Sequence, residues 1–498
     1  MSYDHRHDSH NRHELNVQRR SFLKSLTGTS ASLALGSGAS LAMSGLGIPT
    51  LAQAQTTDYR ALVCLFLFGG NDGLNTVVPL DDSVAGAGYS DYLAVRKGLA
   101  LPRSSAGVPG LVELTGSRFG LHPGLAPLAS VWNDQAMAIA HNVGPLARSL
   151  TQAQYVQWRD QNNAVQVPES LFSHSDQQRQ CESGASTTIN QTGWGGAGAE
   201  QNDFRQVVSF AGNTRFGTGL RNNELALPEP GGTFGLNGYW VGSQPDARKV
   251  ALEALIAQAS PNQLHATYAG QQRAAMDLSR RLESTIKIKP GDAGSNATTN
   301  AAFGNLAAPN NSRLAKQLYQ VAKMVEPAGR GTLGGSRHIF FVSLGGFDTH
   351  SNQLNAHANL MADIGRSVAA FYTALKNLGL ADKVTLFTAS DFGRTFKPNS
   401  SGGTDHAWGN EHLVIGAGVN PKAQVGQYPS LALGGPNDAA DPTKSWELQG
   451  RWIPNLGVSQ YAGSLLRWLN PQVDLLASLP SLSGFGGAAG ANIGLMKA

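Results

Sequence analysis

Apolar residues along this chain gather into short dense runs, and most of the runs stop abruptly at glycine or serine. Residues 61–68 (ALVCLFLF) are apolar throughout and end in Gly69-Gly70-Asn71-Asp72-Gly73. A strand with one wet face would alternate, so an unbroken run predicts a strand buried on both faces of a parallel sheet. Residues 136–140 form a second run. Residues 338–344 (HIFFVSL) form a third, ending in Gly345-Gly346-Phe347-Asp348-Thr349-His350. Residues 384–389 (VTLFTA) form a fourth, ending in Ser390-Asp391-Phe392-Gly393-Arg394. Residues 354–378 repeat apolar positions at three- and four-residue spacing, which predicts a helix feeding the fourth strand. Residues 250–326 read as mostly helical, broken by a polar glycine-containing stretch, 290–300, expected to be a loop. The tail after Leu479 is rich in Gly, Ala and Ser and is expected to be loosely ordered. Strands alternating with helices predict an α/β fold around a mostly parallel sheet. The expected organisation is one elaborated domain from residue 55 onward, with a helical insertion around 245–330.

The N-terminus follows another logic. Arg19-Arg20-Ser21-Phe22-Leu23-Lys24 stands ahead of a weakly apolar stretch, 26–51, that ends in Ala52-Gln53-Ala54. Twin arginines, an apolar segment and a small-x-small site are the parts of a cleaved signal for the twin-arginine translocase. They predict a mature chain that works in the periplasm or is secreted. The alternative is an uncleaved anchor. Gly and Ser interrupt the run too often for a good bilayer span, so no permanent membrane anchor is expected. His5, His7, His10 and His13 lie upstream of the arginines and would leave with the signal. This route carries folded proteins, which fits a metal or cofactor loaded before export.

Removing residues 1–54 leaves 33 basic and 31 acidic side chains of the original 38 and 34. No basic stripe remains, so nothing points to nucleic acid. The two cysteines are Cys64, inside the first apolar run, and Cys181. A bridge between them is open chemically, but a chain of this length buries a large core without one.

Three of the runs end at a turn bearing an aspartate: Asp72, Asp348 and Asp391. Ligands of open parallel sheets bind outside the carboxyl ends of the strands. Three carboxylates at one such edge repel each other unless a cation joins them. Carboxylate with imidazole suits zinc, manganese or iron, and calcium or magnesium where water completes the shell. For any one aspartate a helix cap is the commoner use; the three together, with histidines close by, favour a divalent metal. Asp348 and His350 stand two residues apart, and the glycine-rich 402–406 loop repeats the pairing with Asp405 and His406. His412 comes six residues later. Arg394 either grips a tetrahedral anion or anionic sugar through its fork or makes a structural salt bridge. Ser173 opens a short polar helical pattern. It is either a helix cap or a nucleophile at the positive end of the helix dipole, with His174 beside it to shape the pocket or bind metal.

These pieces, in this order, resemble one bacterial family. The segments are LFLFGGNDGLNTVVP (65–79), FGLHPGLAPL (119–128), SHSDQQRQCESG (173–184), GGFDTHSNQ (345–353), SDFGRTFKPNSSGGTDHAWGNEHLVIGAGV (390–419) and GRWIP (450–454). The family is named domain of unknown function 1501, and its members often carry twin-arginine signals. It is grouped with the alkaline phosphatase and sulfatase superfamily. The resemblance therefore implies a three-layer α/β/α fold with metals at strand carboxyl ends. It implies that Asp72 is the aspartate after the first strand and that Asp348 and His350 serve one metal. Asp391 becomes the aspartate of an Asp-His dipeptide, and His406 or His412 the late histidine. Ser173 falls where a nucleophile is expected after a long insertion. Two features depart from the superfamily pattern. Asp348 and His350 are closer together than its usual pair, and Phe392 stands where the dipeptide histidine belongs.

The expected function is thus an exported metal-dependent hydrolase of phosphate or sulfate esters, acting on a small anionic ester or glycan. Ser173 and Arg394 carry its catalysis, and Asp72, Asp348, His350, Asp391, Asp405, His406 and His412 are its candidate ligands. The alternative is a non-catalytic envelope protein that keeps the fold for binding or assembly.

Overall fold

The computed structural model describes residues 58–105, 109–160, 165–232, 240–241, 244–245, 247–258 and 260–498. The signal read at residues 1–54 lies outside them. Among the described residues nine strands form the main sheet: β1 (Arg60–Phe68), β2 (Met137–Gly144), β3 (Val207–Ser209), β4 (Leu225–Ala226), β5 (Arg337–Gly345), β6 (Val384–Ser390), β7 (Asn410–Ile415), β8 (Gln424–Gly426) and β9 (Leu456–Gly457). Their order is β8-β2-β7-β6-β1-β5-β3-β4, with β9 also paired to β2. All pairings are parallel except those of β7, which runs against both β6 and β2. The chain is an α/β protein with a mixed, mostly parallel sheet.

The unbroken apolar runs are explained by burial on both faces. Ala61, Val63, Leu65 and Leu67 of β1 enter one core, whereas Leu62, Cys64 and Phe66 enter the opposite one. Among the helices that bear on the cores and the site are α1 (His174–Ser183), α2 (Gln263–Ile286), α3 (Arg313–Val325), α4 (Gln353–Asn377) and α5 (Val458–Leu469). Leu282 and Ile286 of α2, Leu318 and Val321 of α3, and Ile364 and Phe371 of α4 close the first core; Leu465 and Leu466 of α5 close the second. Full burial of a Leu or Phe contributes about 1.5–3 kcal/mol, so a strand flanked on both faces anchors the whole assembly. Ser312 starts α3 by accepting the Ala315 N–H at 3.0 Å, an N-cap of the usual kind.

Strand register gathers the turns that bear aspartate. Phe68 pairs with Gly345, and Leu67 with Ser390. Three parallel strands therefore release the chain at one edge of the sheet. The reversal of β7 brings the 391–409 connection back along that same edge.

Two expectations about order are corrected. The 290–300 stretch runs into a helix, Ala297–Ala302, because the Asn296 side chain accepts from the Thr298 and Thr299 amides. The glycine-rich tail is packed: Leu482, Ala491 and Leu495 are buried in the second core. Small residues there allow close approach to α5, where a side chain at Gly463 would meet Ala491. Cys64 and Cys181 are both free, buried thiols. Among the described residues no helix is long and apolar enough to cross a membrane.

Candidate metal centre

The site begins with the turn after β1. Gly69 has a φ of 109°, and a Cβ there would strike the Asp348 amide. Only glycine lets this turn press against the segment leaving β5 while its own N–H reaches Asp391 Oδ2 at 3.2 Å. Asp348 and His350 come directly after β5, and Asp391 directly after β6. Asp405 and His406 lie on the connection to β7, and Gly403 in that connection sits where any side chain would collide with the His350 backbone. α1 enters from the long excursion between β2 and β3 and delivers His174 at its first position.

Four side chains converge. Asp348 Oδ1 lies 2.9 Å from His350 Nε2, 3.4 Å from His406 Nε2 and 3.4 Å from His174 Nε2. His350 Nε2 and His406 Nε2 are 3.0 Å apart. The far nitrogen of each ring faces an acceptor. His174 Nδ1 lies 2.9 Å from Asp391 Oδ2, His350 Nδ1 3.0 Å from Asp405 Oδ1, and His406 Nδ1 2.8 Å from the Phe172 carbonyl. Acceptors at Nδ1 fix the proton there. With a proton on each Nδ1, the Nε2 atoms of the three rings are left to face each other and a carboxylate oxygen. The His174 Nε2 is buried without a hydrogen bond. That arrangement repels itself, and a cation at the focus reverses the sign of every contact.

The spacing fits one ion. Ligands about 2.0–2.2 Å from a cation, at tetrahedral to octahedral angles, sit about 2.9–3.5 Å from each other. Of the six separations among these donors, four, 2.9, 3.0, 3.4 and 3.4 Å, fall in that range, and His350 stands beside the tightest group rather than within it. Among the described residues, His174, Asp348 and His406 form the group whose donor atoms all lie within 4.8 Å of one another. An imidazole held at Nδ1 by a carboxylate or carbonyl is the usual outer support of a metal-binding histidine.

Electrostatics obeys the same geometry. Burial alone would raise the Asp348 carboxyl, but the hydrogen bond and charge of Arg394 outweigh it and hold it below the ordinary range. Burial would likewise raise Asp405, and the bonds from Asn399 and His350 turn the shift downward. The hydrogen bond to Asp391 raises the His174 imidazole, while burial lowers that of His406.

The remaining sequence candidates take other places. Asp391 and Asp405 orient the His174 and His350 rings and stand one layer behind the focus. Asp72 lies at the right edge but has no free oxygen. Oδ1 accepts the Asn75 amide at 3.2 Å and pairs with the buried Arg96, while Oδ2 accepts from Gln353. It is the cap of a short helix, Gly73–Thr76, joined to a buried arginine. His412 is also removed from the ligand set. It is an interior residue of β7, stacked on Tyr461 at 5.7 Å, with Nδ1 3.3 Å from Thr388 Oγ1. Arg394 is not an anion fork. Its guanidinium is fully buried and donates to Asp348 Oδ1 at 2.8 Å, to the Gly69 carbonyl and to Thr404, so it positions the candidate ligand Asp348. Ser173 occupies the N-cap position of α1 without a side-chain cap bond, and its hydroxyl lies 3.2 Å from Ser175 Oγ. Phe392 packs its ring 4.7 Å from His174 and 4.8 Å from His406, giving two of the imidazoles an apolar wall. The residue promoted is His174, whose signal was its place beside Ser173 at a helix start.

The profile of the family described as "Protein of unknown function (DUF1501)" matches residues 59–457. No curated protein matches the chain.

Proposed function

Because the chain belongs to the DUF1501 family, its chemistry has to be read from its own side chains, and we propose that it is an exported metal-dependent hydrolase of phosphate or sulfate esters. The ligands are His174, Asp348, His350 and His406. One observation carries this reading: three imidazole Nε2 atoms, each with an acceptor at its far nitrogen, meet a single carboxylate oxygen. A three-nitrogen, one-oxygen set favours zinc, manganese or iron over calcium and magnesium, which prefer oxygen throughout. A divalent cation at this point supplies Lewis acidity toward an ester oxygen. Arg394 holds Asp348 in place, and Asp391, Asp405 and the Phe172 carbonyl hold the rings. The Ser173 hydroxyl, beside the ligand His174 and at the N-terminal end of α1, is the nucleophile of this proposal, since the helix dipole favours its anionic form. A mostly parallel sheet with the centre at its strand ends supports the alkaline phosphatase and sulfatase likeness as part of the same proposal.

Purified mature protein is expected to hold about one transition metal per chain. It is expected to cleave aryl phosphates or aryl sulfates in a chelator-sensitive way, with activity returning on zinc or manganese. Protein that takes up none of zinc, manganese or iron sinks the proposal. Export is the second part of the proposal, resting on Arg19-Arg20. A Lys-Lys pair in their place is expected to leave unprocessed precursor in the cytoplasm, and normal periplasmic recovery would refute the route.

A further inference from the structure

α1 continues past its metal-facing end. His174, Gln178 and Glu182 are four residues apart and share one helix face, and Gln178 Nε2 donates to Glu182 Oε1 at 3.1 Å. Gln178 therefore stands about 6 Å further along the axis than His174. Together with Ser175, Arg179 and Arg215 it lines a pocket of about 500 Å³. Phe68, the last residue of β1, closes one wall immediately before the Gly69 turn of the metal centre. Its ring is half-buried and packs on Phe66 at 4.6 Å.

The lining is mixed in kind. Neutral amides and hydroxyls dominate, with two guanidinium groups, one carboxyl and one aromatic ring. A purely anionic ligand would need little beyond the guanidiniums, and an apolar ligand would leave the amides unpaired at a cost. A sugar uses all of them: hydroxyls both donate to and accept from amides, and the C–H face of the ring covers a phenyl group. Glu182 is buried and its Oε1 accepts from Gln178, which holds that amide at the pocket.

We infer that this pocket binds the sugar portion of a monosaccharide carrying a tetrahedral anionic ester, with the ester directed toward His174, Asp348, His350 and His406. The ester end rests on the metal-centre reading; the sugar end does not. Titration calorimetry on zinc-loaded mature protein tests it, using N-acetylglucosamine 6-sulfate, glucose 6-phosphate, the two unesterified sugars, inorganic sulfate and inorganic phosphate. At least one sugar ester is expected to bind tenfold or more tighter than its inorganic anion, and which one does so distinguishes sulfate from phosphate. Gln178→Leu and Phe68→Ala are each expected to erase that margin while metal content and inorganic-anion binding stay unchanged. The inference is overturned when neither ester exceeds its inorganic anion, or when both variants keep the margin. Failure of metal uptake strikes the centre alone. In chelator-stripped protein the unesterified sugars report on the pocket: binding that falls at least fivefold in the two variants upholds it, and binding indifferent to both residues refutes it.

Discussion

Replacing His406 with alanine is expected to empty the metal centre, lowering bound zinc from about one per chain to below a tenth after dialysis. In the proposed centre His406 is one of the donors, and its Nε2 lies within 3.4 Å of Asp348 Oδ1 and 3.0 Å of His350 Nε2. Without it the focus is left with three donors and a gap beside the Phe392 ring. Losses behind the donors should be smaller. Asp391→Asn and Asp405→Asn disturb the Nδ1 partners of His174 and His350, and outer partners of this kind contribute about 10–100-fold to metal affinity. Competition with a chromophoric zinc chelator measures the whole series. His412→Asn is the control, because His412 stands in the sheet interior against Tyr461 and should leave metal content untouched. A His406→Ala protein with full zinc occupancy would remove His406 from the centre and, with it, the case built on converging lone pairs.

The contrast between Asp72 and Asp348 explains how far this site can be read from residue order. Both come after an apolar strand and a glycine turn, and both arrive at the same edge of the sheet. They differ in what meets them there. Arg96, 24 residues away, and Gln353, 281 residues away, occupy the Asp72 carboxylate; Asp348 stays half-exposed and faces three imidazoles. Partners at such separations leave no local pattern. The strands themselves were legible because burial on both faces writes itself as an unbroken apolar run, as in β1, β5 and β6. His412 was misread for the opposite reason. Its closeness in sequence to His406 suggested a shared role, but β7 begins at Asn410 and carries His412 into the sheet. The Phe172 carbonyl that fixes the His406 proton is a backbone group, which no residue type announces; its residue holds a left-handed φ of 70°, a conformation favoured at functional sites when a bulky side chain adopts it. The tail after Leu479 misleads in the same way, because Gly and Ala signal either looseness or close packing, and only the neighbouring α5 decides between them.

Acidification from pH 6.5 to 5 is expected to cost the fold several kcal/mol of stability, independently of any metal. Four buried histidines drive this. Burial lowers His122, His357 and His412 to about 3 and His338 to about 4. Their bonding partners are neutral: the Gly124 amide for His122, Asn71 for His357, Thr388 for His412, and the Tyr59 hydroxyl and Gly334 carbonyl for His338. Asp72 pulls His122 back toward its ordinary value, but burial and the neighbouring His357 outweigh it. Each folded-state value lies below that of the unfolded chain, near 6.5. Above pH 6.5 both states are neutral and nothing is lost. Below it the unfolded chain binds a proton that the folded chain refuses, so stability falls by about 1.4 kcal/mol per pH unit for each ring until the folded value is reached. Glu182 works the other way, as do Glu224, Glu326 and Asp438, whose carboxyls burial also raises, and His174, raised by its hydrogen bond to Asp391. The Glu182 carboxyl, raised to about 7 by burial, takes a proton in the fold first and offsets roughly one histidine between pH 7 and about 4.5. The four histidines and Glu182 alone would give about 4 kcal/mol per unit, an upper figure that the other raised groups reduce, against a total stability of about 5–15 kcal/mol for a folded domain. Urea unfolding at pH 7, 6 and 5 measures it, with chelator present throughout so that the metal does not contribute. His412→Asn and His338→Asn should each flatten the curve by about 1.4 kcal/mol per unit. A stability unchanged between pH 7 and 5 would mean that these rings do not stay neutral in the fold.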